Sequence, residues 1–244
     1  MEIENESWLK SNTAKLRLVQ AFFFLILLLA DMVDPMSVVF VYIFETIIIG
    51  FFNVVKLFFL CVYNQQKGGE YWIAFLMIPF FVLHFGCFVG VQTILMYTVF
   101  AIYDSNLSTS LSWENYQTIL ELEGFYLVSI SLILLHLFTF YKTFLVPKKY
   151  IDQKASLYFS KPYIRIIIQQ LLVIIPFCFF FFTDEIGKTA AILLVVMQSF
   201  LDYYFYKLAN NPLLIKNLAN KMLDKNKPED LAKIEKSLLV FFEE

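Results

Sequence analysis

Residues 36–63 read MSVVFVYIFETIIIGFFNVVKLFFLCVY, and this stretch decides the fold class. It is almost wholly apolar and exceeds the about 20 helical residues that cross a bilayer. Yet it contains Glu45, Asn53 and Lys56. Glu45 and Lys56 are eleven positions apart, close to three turns of about 3.6 residues, so the two lie on nearly one face, where Asn53 neighbours Lys56. Ionisable groups at membrane depth cost about 3 kcal/mol on insertion scales and usually face a protein interior or a water-filled cavity, so these three residues are candidates for a polar core.

The composition indicates a membrane protein. Of the 244 residues, 59% are hydrophobic and 16% are charged, whereas soluble domains average about 45–50% and about 25%. These values predict an all-α, polytopic integral membrane protein whose main partner is the lipid bilayer. No basic arm of the kind that binds nucleic acid stands out, so no nucleic-acid partner is expected.

Apolar runs separated by polar turns predict a transmembrane domain of six helices over residues 1–208. The first span is short for a bilayer, so we expect Arg17 to snorkel toward the interface. The predicted spans are residues 16–30, 36–63, 72–103, 125–145, 163–183 and 189–208.

Residues 209–244 are predicted to form a cytoplasmic amphipathic tail. Four apolar side chains recur there at helical spacing: Leu231, Ile234, Leu238 and Phe241. Such a stripe could dock on the membrane surface, on the bundle itself or on a second copy of the chain.

The charges on the predicted loops give the orientation. Lysines and arginines flank one set of span ends, before the first span, around the loop between the fourth and fifth, and after the sixth. The opposite loops carry Lys188 against eight acidic residues: Asp31, Asp34, Asp104, Glu114, Glu121, Glu123, Asp184 and Glu185. The positive-inside rule therefore predicts that both termini are cytoplasmic.

Three titratable residues lie near mid-depth on three different predicted spans, and they could converge. They are Glu45 and the chain's only two histidines, His84 and His136. Secondary candidates are other polar residues inside the spans: Gln92 on the face of His84, Arg165 and Gln169 on the fifth span, and Gln198 and Asp202 four residues apart on the sixth.

Three interpretations of this polar set stay open. In the first, it lines a path for an ion, a proton or a small solute, because chains of Glu and His at membrane depth are typical of proton relays. In the second, Glu45, His84 and His136 bind a transition metal or support redox or metal-dependent catalysis. In the third, Glu45 pairs with Lys56 or a histidine and only joins helices in a structural or accessory subunit.

Known enzyme signatures are missing from the sequence. It contains no Gly-x-Ser-x-Gly, no His-Glu-x-x-His and no P-loop. These absences favour a protein that is not an enzyme and predict no cofactor beyond the metal of the second interpretation. Gly86 and Gly90 form a small-xxx-small pair, through which, or through the tail, a homo-oligomer could form.

The stretch FETIIIGFFNVVK, residues 44–56, resembles the most recognisable part of a bacterial family of uncharacterised multi-pass membrane proteins. The shared pattern is Glu-x4-Gly-x2-Asn-x2-Lys. The resemblance implies a six-helix domain in a bacterial plasma (inner) membrane and no known activity. It also implies that five residues match the family's characteristic polar positions: Glu45, Asn53, Lys56, His84 and His136. The fifth span departs from the pattern, with Gln169, Gln170 and Pro176 where a histidine and glycines are expected. If the family's histidines bind a metal, their absence here counts against a metal site.

Overall fold

The computed structural model describes residues 12–63, 70–101, 107–151, 186–222 and 231–242, and positions 153, 155, 158, 159, 162, 163 and 167. Within these residues the chain is helical and has no strand, so the all-α prediction is confirmed. The helices are α1 Asn12–Leu29, α2 Pro35–Tyr63, α3 Glu70–Phe100, α4 Trp113–Glu121, α5 Phe125–Phe140 with a π-helical turn Tyr141–Leu145, α6 Ile186–Ala209, α7 Pro212–Met222 and α8 Leu231–Phe242.

Four of the described helices are long and apolar enough to cross a membrane. These segments are Pro35–Tyr63, Phe75–Thr98, Phe125–Leu145 and Ala191–Ala209, and they correspond to the second, third, fourth and sixth predicted spans. The first predicted span falls on α1, which is not one of the four. The fifth, 163–183, lies almost entirely outside the described residues.

The starts of α2 and α5 are joined, so these two helices run parallel. Pro35 occupies the first helical position of α2, where its missing N–H costs nothing. Asp34 caps this helix by accepting the N–H of Met36 at 2.7 Å. The backbone carbonyl of Glu123, just before α5, accepts both the N–H of Asp34 and the hydroxyl of Ser37. Residues at similar distances from these two starts therefore lie at the same level of the bundle.

Helices α1 and α6 run antiparallel and are tied by two ion pairs. Lys188 Nζ lies 2.6 Å from Asp31 Oδ1, and Arg17 Nη1 lies 2.8 Å from Asp202 Oδ1. Lys188 and Asp202 are 14 positions apart on α6, about 21 Å at 1.5 Å per residue, and Arg17 lies 14 positions before Asp31, which follows the end of α1. We call the end of the bundle that carries Asp31, Asp34, Glu123 and Lys188 the acidic end.

Helix α2 is the centre of the bundle, because it packs against α3, α5 and α6. It packs tightly against α3 at Gly50, where an added Cβ would overlap the Phe85 ring. The rings of Phe40 and Tyr97, 6.0 Å apart, mark a second crossing point. The two contacts define an antiparallel register in which Gln92 is level with residues 43–45 of α2.

Two clusters of buried apolar side chains fill the bundle. The first includes Phe24, Val41, Val128 and Leu194 and extends to the acidic end. The second includes Leu57, Phe81, Phe85 and Phe144 and lies toward the other end. Phe52 packs against both clusters, so the boundary between them passes through the middle of α2.

The tail forms two helices. Helix α8 contains the predicted apolar stripe and packs against α7 and α6. The tail therefore contacts the chain's own helices, one of the three docking surfaces that the sequence left open.

Candidate functional site

Glu45 and His136 form a buried pair at the boundary between the two apolar clusters. Glu45 lies ten positions after the start of α2 and His136 eleven after the start of α5, so both lie about 15 Å from the joined starts. Glu45 Oε1 is 3.0 Å from His136 Nε2, and the side chains are 4% and 8% exposed. One proton lies in this hydrogen bond, donated either by Nε2 of the imidazole to a carboxylate or by a carboxylic acid to Nε2.

The imidazole of His136 is held in place by an aromatic ring. Phe52 stacks on it with ring centroids 6.5 Å apart and an angle of 23° between the planes. Phe52 lies seven positions after Glu45 on α2, two helical turns away and on the same face. One face of α2 therefore supplies both the acid that binds His136 and the ring that fixes its orientation.

Arg17 does not snorkel to the interface, as the sequence suggested, but forms a part-buried ion pair with Asp202. The two side chains are 8% and 14% exposed. The in-register contact of α1 with α6 explains the difference, because it places an acid on the neighbouring helix at the level of Arg17. Because Asp202 pairs with the guanidinium group inside the bundle, the Arg17 side chain does not have to extend beyond α1 to be hydrated.

A small polar cavity connects the two pairs. Its volume is about 30 Å³, and its polar lining consists of Arg17, Gln20, Tyr42, Glu45, Gln198, Ser199 and Asp202. A water molecule needs at least about 10–15 Å³ of such volume and a few polar partners, so one or two waters fit. The cavity thus gathers polar groups from α1, α2 and α6 around the carboxyl group of Glu45.

His84 occupies a different environment and does not join Glu45 and His136. It is exposed on α3, stacks on Phe80 with ring centroids 5.4 Å apart, and its Nδ1 lies 3.0 Å from the hydroxyl of Tyr163. In the register set by Gly50 and Phe85, His84 is level with residue 51 of α2, about 9 Å along the axis from Glu45. Within the described residues no group of three or more His, Cys, Asp or Glu side chains could hold a metal ion.

The two other polar candidates of α2 are Lys56, which faces the α5 segment as Glu45 does, and Asn53, which is buried. Lys56 Nζ lies 5.9 Å from the centre of the Phe144 ring, on the π-helical turn that continues α5. Glu45 and Lys56 therefore both contact the α5 segment. Asn53 is 4% exposed, and its Nδ2 has no hydrogen-bond partner among the described residues.

The secondary candidates divide into three groups. Gln198 and Asp202 line the polar cavity. Gln92 is buried on α3, and its amide has no hydrogen-bond partner in the described part of the chain. Arg165 and Gln169 lie outside the described residues.

Sequence reasoning missed four polar residues of the cavity: Arg17, Gln20, Tyr42 and Ser199. Arg17 and Gln20 are three positions apart inside an apolar run, the same signal that singled out Gln198 and Asp202 on the last span. Tyr42 gives no such signal, since tyrosine is common in apolar helices and its position three residues before Glu45 became informative only with the fold.

The fold and the buried pair define a helical protein in which several helices could span a membrane and a polar layer separates two apolar clusters. A family model matches residues 6–227, and the chain therefore belongs to the family of unknown function DUF6498. This membership agrees with the resemblance to an uncharacterised family, whose description states no activity. No curated protein and no solved structure matches the chain.

Proposed function

We propose that this protein is a multi-pass membrane protein that carries protons through its polar layer. The observation that supports this best is the buried hydrogen bond between Glu45 and His136, with Glu45 bordering a cavity of water size. Acid and imidazole groups at membrane depth are typical of proton relays.

The size of the cavity favours protons over larger solutes. About 30 Å³ accommodates one or two waters but no hydrated ion or organic solute. A proton needs only a chain of hydrogen bonds, and the hydroxyl of Tyr42 and the amides of Gln20 and Gln198 can extend such a chain from Glu45.

We also propose that the chain crosses the membrane six times with both termini in the cytoplasm. Helices α5 and α6 both begin at the acidic end, as the contacts of Glu123 and Lys188 indicate. Two consecutive helices that start at one end need a return crossing between them, which the predicted span 163–183 would provide. The acidic end is then the outer face. Reporter fusions after residue 244 that are active on one side of the membrane test this orientation.

The membrane is proposed to be a bacterial plasma membrane, on the family resemblance, and a homo-oligomer is proposed through the face of Gly86 and Gly90. An added Cβ at either glycine meets no atom within 4 Å, so this face of α3 leaves room for a second helix. Gly86→Leu should then lower the oligomeric mass measured by light scattering in detergent, and an unchanged mass contradicts this part of the proposal.

Proton flux into liposomes tests the main proposal. Purified protein is reconstituted with an internal pH dye, and a potassium gradient with valinomycin drives proton entry. Glu45→Gln keeps the size and polarity of the side chain but removes its titratable proton, so we expect flux to fall at least about tenfold. Glu121→Gln, the same change on the exposed helix α4, is the matched control and should leave flux intact.

The possible outcomes separate transport from a purely structural role. Unchanged flux in Glu45→Gln contradicts the proposal. If the wild type carries no protons and Glu45→Gln only lowers the unfolding temperature, the pair holds helices together, as in the third interpretation of the sequence.

A further inference from the structure

The short helix α4 lies at the level where two of the apolar segments end. The segment of α3 that could cross a membrane ends at Thr98, and the segment of α5 begins at Phe125. In the middle of α4, the ring of Tyr116 packs edge-on against the ring of Tyr97, with centroids 5.9 Å apart. Helix α4 ends two residues before Glu123, which belongs to the acidic end. In a bilayer, α4 therefore lies where the hydrocarbon gives way to headgroups and water.

The orientation of α4 on the bundle is fixed by its own polar contacts and by one apolar side chain. The buried amide of Asn115 donates to the carbonyls of Ser108 and Ser110, at 2.7 and 2.8 Å, and accepts the N–H of Ser108 at 2.9 Å. Ser112 caps the helix by accepting the N–H of Asn115. Ile119 belongs to the first apolar cluster. The exposure of the other side chains of α4 is thus a property of the fold and not of a loose helix.

Helix α4 has three faces, each of a different kind. One face points into the bundle and is formed by Asn115 and Ile119. A second face is apolar and exposed, with Trp113 72%, Tyr116 41% and Leu120 37% exposed at helical spacing. The third face is polar and is formed by Glu114, Thr118 and Glu121. A helix that contacts only protein and water needs two kinds of face, so the exposed apolar face indicates a third environment.

The residue types of the exposed apolar face fit the boundary between lipid and water. Tryptophan and tyrosine are enriched at this boundary, because their rings are apolar while the indole N–H and the phenol O–H reach hydrogen-bond partners. Tyr126, in the first turn of α5, is 61% exposed and adds a further aromatic side chain at the same level. The carboxylates of Glu114 and Glu121 are costly in hydrocarbon, so they limit how deeply α4 can insert.

The exposed apolar face is too small for a protein partner. A stable protein interface uses about 20–30 residues from each side, whereas this face consists of three side chains. A bilayer sets no such minimum, because the lipid that surrounds the neighbouring spans continues to α4.

We propose that α4 is an interfacial anchor whose face of Trp113, Tyr116 and Leu120 inserts among phospholipids at the acidic end of the bundle. The indole N–H of Trp113 donates to the ester carbonyls of these lipids. The carbonyl of Glu123 accepts the N–H of Asp34 and the hydroxyl of Ser37. The anchor therefore acts on the joint between α2 and α5 and holds the starts of both helices at a fixed depth.

This inference rests on the membrane placement in the proposed function but not on proton transport. A protein that carries no protons needs the same anchor, and a proton carrier could leave α4 in water. The experiment therefore includes a separate probe of the membrane placement.

Fluorescence quenching by lipids tests the proposal with the full-length protein in phosphatidylcholine liposomes. The chain has three tryptophans, and replacing Trp8 and Trp72 with phenylalanine leaves Trp113 as the only one. The lipids carry a spin label either near the glycerol or at the middle of the acyl chain. We expect the label near the glycerol to quench Trp113 at least about twofold more strongly than the deeper label.

The matched control moves the indole to the polar face of the same helix. In the same background, Trp113→Phe combined with Glu114→Trp rotates the indole by about 100° around α4. Quenching by both lipids should then fall at least about threefold, and quenching by aqueous iodide should rise.

A second control probes the membrane placement alone. Phe51 is 63% exposed near the middle of α2. In Phe51→Trp with Trp113→Phe, the deeper label should quench more strongly than the label near the glycerol.

Three results would overturn the proposal. The first is equal lipid quenching of Trp113 and of the indole introduced at position 114. The second is quenching of Trp113 by iodide alone while Phe51→Trp reports the deeper label, since the bundle would then span the bilayer with α4 in water. The third is a Trp113 that neither lipid nor iodide quenches, since a second copy of the chain would then cover this face. If Phe51→Trp itself reports no lipid, the membrane placement fails and the anchor fails with it.

Discussion

The two histidines are predicted at the same depth of the membrane, yet they occupy opposite environments. His136 is 8% exposed, bonded to Glu45 and stacked on Phe52. His84 is exposed, stacks on Phe80 and contacts the hydroxyl of Tyr163. The difference lies in the helices that carry them, since α5 runs parallel to α2 from a joined start, whereas His84 sits on the outward side of α3.

This comparison shows that depth and direction are separate properties of a residue in a helical bundle. The position of a polar residue within an apolar run gives its depth directly. The direction of its side chain depends on which helices become neighbours, and only contacts between helices fix that. The sequence therefore indicates which titratable residues lie at the same depth, but it does not indicate which of them form a pair.

The largest expected effect comes from removing the buried histidine. His136→Ala leaves the Glu45 carboxyl buried without its partner and opens a cavity beside Phe52, so we expect the free energy of unfolding to fall by about 3–5 kcal/mol. Unfolding by SDS titration in mixed micelles, followed by circular dichroism, measures this. A loss below about 1 kcal/mol would show that the pair contributes nothing beyond ordinary packing.

A double variant sharpens this result. In Glu45→Met with His136→Leu, apolar side chains of similar size replace both members of the pair. Such replacements of buried pairs are often neutral for stability, so this variant should recover most of what His136→Ala loses, to within about 1 kcal/mol of the wild type. If the pair carries protons, stability returns but flux does not.

The next largest loss of stability is expected from breaking one of the two ion pairs between α1 and α6. Arg17→Met breaks the part-buried pair with Asp202 and should cost about 2–4 kcal/mol, because the carboxylate of Asp202 loses its partner inside the bundle. Lys188→Met breaks the pair with Asp31, whose side chain is 81% exposed, and should cost less than about 1 kcal/mol. The same SDS titration measures both, and equal losses would contradict the burial of Arg17.

A smaller effect compares the glycines of α2 and α3. An added Cβ at Gly50 overlaps the buried ring of Phe85, so Gly50→Ala should cost about 1–3 kcal/mol. Gly90→Ala meets nothing within 4 Å, and the better helix propensity of alanine should offset any small loss. Thermal unfolding in detergent distinguishes the two variants. The prediction fails if Gly90→Ala is the more damaging change.

Much of the fold could be predicted from the sequence because long apolar runs specify helices independently of their neighbours. Four predicted spans fall on helices that could cross a membrane. The predicted snorkelling of Arg17 was wrong because Asp202 lies 185 positions later, and nothing local indicates that α6 packs against α1. Gln20 and Tyr42 escaped notice for the same reason, since their importance comes from a cavity that four helices form together.

The smallest expected effect tests His84, the other member of the opening comparison. His84→Leu removes one hydrogen bond to Tyr163 at an exposed position, so we expect less than about 1 kcal/mol of lost stability, and Tyr163→Phe should lose a similar amount. Proton flux into liposomes should remain unchanged in both variants, because neither residue borders the cavity beside Glu45. A loss of flux in His84→Leu but not in Tyr163→Phe would mean that His84 transfers protons itself, and the path would then extend to the outer surface of α3.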